Sequence, residues 1–327
     1  TQELLLVRDQ LGIKPLQYLA DGHRFIFASE QKAIIQHPQV PRGLNRRALH
    51  LQLNLRYTQG SETLFEGIRR LPPAHFMRIN KGQITTLERY WQLQPVINHS
   101  LTENEAIDQL QHHLQQAVQR QLISDVPLGV YLSGGLDSST LVEKMHALGV
   151  SEINTFTLGF NEPTDEFPDP QRIADYFQTN HRTLNLQMDP LKEYPQVIWH
   201  AEEPKINLLQ GYNMSRFVRQ HVTVALGGLG GHELLAGYDI HKFIYPVNRW
   251  HRRVPAGLQK LLRWKSDFLF KIQNGSHTLR FDEYRRGVQM LLSIGQIERF
   301  YLIIRNVWDF DSGMYDNIYH RDFIAFQ

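Results

Sequence analysis

The residues of this chain best suited to chemistry are Ser133, Gly134, Gly135, Leu136, Asp137, Ser138 and Ser139. They follow an apolar run at 126–132 and lead into a helical pattern from 138 to about 148. A strand, a glycine turn and a helix start, in that order, make an anion site. Gly134 and Gly135 let the backbone come close to a ligand. The helix N-terminus adds unpaired N–H groups and a partial positive charge. Ser133, Ser138 and Ser139 are candidate hydroxyl donors. Asp137 is the odd member, because a carboxylate beside a phosphate repels it unless a metal sits between them. Mg²⁺ takes one or two carboxylates plus phosphate oxygens, so Asp137 reads as a Mg²⁺ ligand. The loop is not a Walker A motif, which requires a Lys at the helix start.

The elements that must position this loop alternate strand and helix. Buried-strand patterns fall at 153–160 and 222–226, and a shorter strand at 183–186. Helical patterns fall at 170–177, 191–200 and 212–219. Such alternation predicts an α/β fold with a doubly wound parallel sheet. Ligands of these sheets sit beyond the strand C-termini at a switch point. Leu132 and Ser133, Leu158 and Gly159, and Leu226, Gly227 and Gly228 are therefore the expected wall of the site. Upstream, Thr102 and Glu105 form a capping box that opens a helix with one apolar stripe: Ala106, Ile107, Leu110, Leu114, Ala117, Val118 and Leu122. His112 and His113 lie off that stripe and read as solvated side chains.

Residues 1–95 read as β-rich, with strands at 4–7, 16–19, 24–28, 76–79 and 83–88. Ser29 and Glu30 are expected to cap a short helix at 31–36, and Asn45 a second one through about 53. The segment 95–100 reads as a linker, giving domains at 1–95 and 96–327. From about 242 the pattern is helical and aromatic-rich, and reads as helix packing.

Composition narrows the function classes. The 327 residues carry a net charge of +2, so composition points to no nucleic-acid partner. The small basic clusters at 249–253 and 285–286 read as solvated surface. There is no cysteine, which excludes a disulfide framework, a cysteine-based zinc site and a cysteine nucleophile within these residues. No apolar run approaches the length of a membrane span, so no membrane partner is expected.

Further blocks carry a resemblance. Arg8-Asp9, Gly12-Ile13-Lys14-Pro15, Phe27-Ala28-Ser29-Glu30, Thr63-Leu64-Phe65-Glu66-Gly67-Ile68, Leu71-Pro72-Pro73 and Arg89-Tyr90-Trp91 precede the loop. Gly230-Gly231-His232-Glu233-Leu234 and Gly237-Tyr238 follow it. In order and spacing the set resembles glutamine-dependent asparagine synthetase. The loop itself resembles those of enzymes that cleave ATP between the α and β phosphates. The resemblance implies a doubly wound sheet of the pyrophosphate-loop ATPase type. Ahead of it would come the C-terminal part of a β-rich N-terminal-nucleophile glutaminase domain. It implies a cytoplasmic ligase that adenylates aspartate with ATP and Mg²⁺. Glutamine-derived ammonia would then give asparagine, AMP and pyrophosphate; a homodimer is open.

Carried over by position, the resemblance puts the pyrophosphate end of ATP on Ser133, Gly134, Gly135, Leu136, Asp137, Ser138 and Ser139. Leu132, Leu158, Gly227 and Gly228 would line the adenine and ribose. Asp137 and His232 would hold the metal, and Asp137 and Glu233 would act in catalysis. Three departures stand out. The family's N-terminal Cys and its later Lys block do not occur, so the chain is expected to be a piece cut at both ends that does not hydrolyse glutamine. Leu229 stands where the family has an acidic residue near the acyl substrate. His232 stands where it has a second metal-binding Asp, and imidazole is a poor Mg²⁺ ligand. These departures leave two alternatives open: a related synthetase for another acid, of the β-lactam or peptide-cyclising type, or a non-catalytic nucleotide-binding relative.

Overall fold

The computed structural model describes residues 3–159, 168–186, 189–205 and 207–238, with isolated positions at 257, 289, 290 and 303. These form two compact units, one holding residues 3–94 with Glu202–Lys205, the other the rest through 238. The aromatic-rich helical pattern from 242, the basic clusters at 249–253 and 285–286, and Phe160 lie outside the described residues.

In the first unit the elements run β1 (Glu3–Val7), β2 (Gln17–Ala20), β3 (Phe25–Ala28), α1 (Gln31–Ile35), α2 (Arg46–Leu55), β4 (Ile68–Arg70), β5 (His75–Asn80) and β6 (Gln83–Arg89). Two three-stranded antiparallel sheets result, ordered β1-β5-β6 and β3-β2-β4. Successive side chains of a strand face opposite ways, and β2 uses both faces. Tyr18 packs with Leu6, Leu71, Met77 and Ile79, which joins the two sheets. Leu19 packs with Ile34, Val40 and Ile68, which seats α1. Lys81 and Gly82 link β5 to β6, both at positive φ (49° and 78°), the conformation of a primed two-residue hairpin. Asn45 caps α2 by accepting from the Ala48 N–H at 3.1 Å, as expected. The cap of α1 differs from the expectation. Glu30 makes no side-chain cap bond. The Gln31 and Lys32 N–H groups donate instead to Glu202, each at 2.7 Å, and Glu202 is 171 residues away from Gln31.

The second unit runs α3 (Glu103–Gln121), β7 (Leu128–Tyr131), α4 (Leu136–Ala147), β8 (Asn154–Gly159), α5 (Pro168–Tyr176), β9 (Asn180–Asn185), α6 (Pro190–Ala201), α7 (Leu208–Val218), β10 (Val224–Leu226) and α8 (Gly231–Leu234). Its four strands are parallel and ordered β10-β7-β8-β9. This is the α/β parallel sheet that the strand–helix alternation predicts. The chain steps outward from β7 to β9, then returns to lay β10 on the other side of β7. The order therefore reverses between β7 and β10, which is where a doubly wound sheet opens a crevice.

One core lies under α4, with Val130, Leu132, Val142, Met145, Ile153 and Ala174 buried together. Another holds Phe156, Met214, Val218 and Val222 on the α7 side. The Thr102 capping box forms as expected, with Glu105 accepting from the Thr102 N–H at 2.9 Å. The apolar stripe of α3 is used only toward its C-terminus. Val118 is buried and Leu122 packs beside it, whereas Ile107 and Leu110 are exposed. His112 and His113 are exposed, as their place off the stripe predicts.

Two outcomes follow from this packing. Gly129 sits mid-strand in β7, where an added Cβ would lie 2.6 Å from Phe156 Cε2 and 3.2 Å from the Asn154 carbonyl. Gly129→Ala is expected to cost about 1–3 kcal/mol in urea unfolding; an unchanged midpoint would refute the packing. Second, burial pushes the His181 imidazole below its ordinary range, against a smaller opposing pull from Asp175. Its Nδ1 lies 2.9 Å from Thr155 Oγ1. The folded state thus favours neutral His181, so stability is full above the ordinary histidine pKa and is lost as pH falls. Denaturant midpoints should drop between about pH 7.5 and 5.5. The drop should be smaller in His181→Gln.

Candidate functional site

The end of β7 is fixed before the loop begins. The Leu132 N–H donates to the Phe156 carbonyl at 2.9 Å, and Thr157 Oγ1 donates to the Leu132 carbonyl at 2.5 Å. The loop then turns through Gly134 at φ 75°. No side chain fits there: a Cβ on Gly134 would lie 2.7 Å from Asp169 Cβ and 2.8 Å from the Pro170 nitrogen. Gly135 is the N-cap of α4 and has no side chain to cap it. The N–H groups of Gly134, Leu136, Asp137 and Ser138 find no acceptor among the described residues. A helix start of this kind leaves donors and positive potential for an anion.

The serine hydroxyls bond within the loop. Ser138 Oγ takes the Ser133 N–H at 3.1 Å and lies 3.0 Å from Ser133 Oγ. Ser133 Oγ in turn accepts from the Gly135 N–H at 3.3 Å. Ser139 donates back to the Gly135 carbonyl at 2.8 Å. These hydroxyls tie the loop to itself, a local competition for backbone groups common for Ser near helix starts. What the loop leaves open is main chain.

The 227–231 segment after β10 lies against the start of α4. An added Cβ on Gly228 would come 2.8 Å from Asp137 Cβ and 3.1 Å from the Ser138 nitrogen. On Gly231 it would come 2.6 Å from Asp137 Oδ2. His232 Nδ1 is 2.6 Å from Asp137 Oδ2, across 95 residues of sequence. Glu233 accepts from the Tyr238 hydroxyl at 2.6 Å and from the Gly230 N–H at 3.0 Å. The tyrosine first, then the Glu233 and Gly230 main-chain N–H groups, hold its carboxyl below the usual carboxylate range.

The three strand ends enclose a cavity of about 830 Å³, inside the range of about 300–1,000 Å³ usual for small-molecule sites. Of the sequence-derived site residues, Leu132, Ser133, Gly135, Leu136, Asp137, Ser138, Leu158, Gly227, Gly228, His232 and Glu233 line it. Gly134 and Ser139 do not: Gly134 packs on α5, and Ser139 turns back into the first turn of α4. Sequence reasoning missed one wall. Asn207, Gln210, Gly211, Met214 and Ser215 also line the cavity. Their spacing of three, four, seven and eight marks one face of α7, a periodicity that was there to read.

A divalent cation fits this donor set in one way. Among the described residues no group of three His, Cys, Asp or Glu side chains gathers as a metal cage. Asp137 supplies a single carboxylate at a phosphate-type loop, so the residues suit a cation whose other oxygens come with a phosphate ligand.

A parallel sheet with a glycine loop and an open helix start at its switch point defines the class: a doubly wound α/β protein. Comparison with known proteins gives the family within it. Residues 109–296 match the asparagine synthase family, and residues 1–91 match the glutamine amidotransferase domain. The chain belongs to the asparagine synthase family, which bears out the resemblance drawn from its motifs.

A protein of Methanocaldococcus jannaschii, provisionally named glutamine-hydrolysing asparagine synthetase 2, is 32% identical over 260 residues, 77% of this chain and 50% of that protein. Glutamine-hydrolysing asparagine synthetase 1 of Bacillus subtilis is 28% identical over 78% of this chain and 40% of its own. The amidase chyE of Penicillium rubens is 26% identical over 73% of this chain and 38% of its own. The chain thus spans half or less of the length of these relatives.

The glycine geometry yields a direct expectation. Gly134→Ala should cost about 1–3 kcal/mol in chemical unfolding, through positive φ and contact with Pro170. Gly22, at positive φ with nothing near it, should cost less when changed to Ala. Equal costs would show that the crowding at Gly134 is not real.

Proposed function

We propose that this chain carries the ATP-handling part of an asparagine-synthetase-type ligase. The open N–H groups at the start of α4, facing a cavity at the switch point, are the observation that carries the reading. The pyrophosphate end of ATP lies along Ser133, Gly135, Leu136, Asp137 and Ser138, held by main-chain donors more than by hydroxyls, while Gly134 and Ser139 shape the loop from outside the cavity. Leu132, Leu158, Gly227 and Gly228 flank the adenine and ribose, where main chain and small residues suit a flat purine. Asp137 binds the cation that accompanies ATP, Mg²⁺ being the ion the family resemblance implies. That cation, when bound, offsets charge on the leaving pyrophosphate. Glu233, braced by Tyr238 and Gly230, keeps the 230–233 turn in shape beside Asp137.

In this reaction an oxygen of the substrate carboxylate attacks the α phosphorus and pyrophosphate leaves. Ammonia then attacks the acyl carbon and AMP leaves, giving the amide. The main-chain donors act by matching the charge that builds on the departing pyrophosphate. Aspartate is the acid and glutamine the ammonia source in the parent enzyme, working in the cytoplasm. Leu229 favours a second reading, another acyl substrate. Its side chain is 95% exposed at the cavity wall and brings no charge there.

ATP–pyrophosphate exchange, run with aspartate, with other acids and with none, separates these readings. Exchange that needs aspartate supports the first, and exchange that needs another acid supports the second. Asp137→Asn should weaken binding of the cation–ATP complex by about tenfold or more, while leaving unfolding by urea nearly unchanged. Unaltered binding would remove Asp137 from the proposed site.

A further inference from the structure

The α7 wall of the cavity is the part that the sequence motifs leave without a role. Asn207, Gln210, Gly211, Met214 and Ser215 form it, and none of them carries a charge. Met214 is buried with Phe156, Val218 and Val222, and Tyr131 and Leu158 pack on that cluster. Tyr131, Phe156, Leu158 and Met214 also line the cavity, which gives it an apolar floor on the α7 side. The floor adjoins the part of the cavity assigned above to adenine and ribose. Leu158 belongs to both, and a Cβ on Gly227 would stand 3.7 Å from Tyr131 Cδ2.

Gln210 lies four residues before Met214, on the same face of α7 and one turn nearer the helix start. It is half-buried, whereas Asn207 and Ser215 are exposed. Its side-chain amide has no hydrogen-bond partner among the described residues. A ligand that covers this amide strips its water, and an unmatched amide then carries the whole desolvation cost. The ligand must therefore bring a donor and an acceptor side by side. Adenine does so on one edge, where the exocyclic amine donates and the ring nitrogen beside it accepts. An apolar surface for the face of the base and hydrogen bonds for its edge is how enzymes hold an unstacked base.

We propose that Gln210 is a base-reading residue. Its Oε1 accepts from the exocyclic amine of adenine and its Nε2 donates to the neighbouring ring nitrogen, while Leu158 and Met214 bear on the face of the ring. This rests on the reading of the cavity as an ATP site. It adds a side-chain reader to a pocket whose other assigned walls are main chain and apolar groups.

The test uses the full chain with Mg²⁺ and compares three probes by calorimetry: ATP, purine riboside 5′-triphosphate and tripolyphosphate. Purine riboside 5′-triphosphate differs from ATP only in lacking the exocyclic amine. The chain is expected to bind ATP about tenfold more tightly than this analogue. In Gln210→Met the two affinities should converge to within about twofold, through loss on the ATP side. Tripolyphosphate, which has no base, should bind the chain and the variant alike. Met matches Gln in length and helix preference, so the variant should fold; Gln210→Leu replaces it otherwise. Equal affinity of the unaltered chain for ATP and the analogue overturns this inference and leaves the ATP reading intact. So does a difference that survives in the folded variant, or a variant that weakens tripolyphosphate as much as ATP. No binding of any of the three probes overturns the ATP reading and the inference with it.

Discussion

The second unit depends on a close approach of main chain to main chain around Asp137. β7 and β10 are neighbours, so the segments that leave their C-terminal ends must share one small space. They can do so only where side chains are missing. Gly228 lies against the backbone of residues 137 and 138, and Gly231 against the Asp137 carboxylate. Gly134 does the same on the other flank, against α5. Each contact leaves no room for a methyl group, and Gly134 also takes a left-handed φ. The crevice of a doubly wound sheet is usually described by its strand order. Here the order creates the crevice and the glycines set how near its two lips come.

That approach governs what the loop can offer a ligand. Ser133, Ser138 and Ser139 bond within the loop and stiffen it, so the open groups are N–H donors of α4's first turn. Rigid donors aimed at one place need no reorganisation when charge develops there, which is the basis of electrostatic catalysis. A loop whose hydroxyls were free would gain donors but lose that preorganisation. Thr157 serves the same end from β8, by fixing the Leu132 carbonyl at the point where strand becomes loop.

Much of this was legible in the sequence, for physical reasons. Parallel strands covered on both faces give continuous apolar runs, so the largely buried β7 and β8 and the more exposed β10 stood out between turn residues. The approach of Asp137 and His232 was expected too, from the resemblance, which assigns both to one metal. Features carried by distant partners were not. Nothing near Glu30 reveals that Glu202 supplies the cap of α1. β4 is only three residues long, Ile68–Arg70, and precedes the Pro72-Pro73 elbow, so its pattern is too short to register. The bonds of the serines within the loop were not legible either, because their types are right for this role and for binding a ligand. Only the local geometry of a helix start shows that i to i+4 backbone acceptors claim Ser139 first.

The imidazole at 232 also changes how the site behaves with nothing bound. Two carboxylates packed at this distance would repel and would need a cation between them to close. With His232 the same contact is a hydrogen bond. The 227–231 segment can then rest on Asp137 without a metal, and the glycine contacts are kept rather than pushed apart. Position 232 is free to carry either side chain because the approach itself is made by Gly228 and Gly231, not by residue 232. A site built this way keeps its shape through main chain.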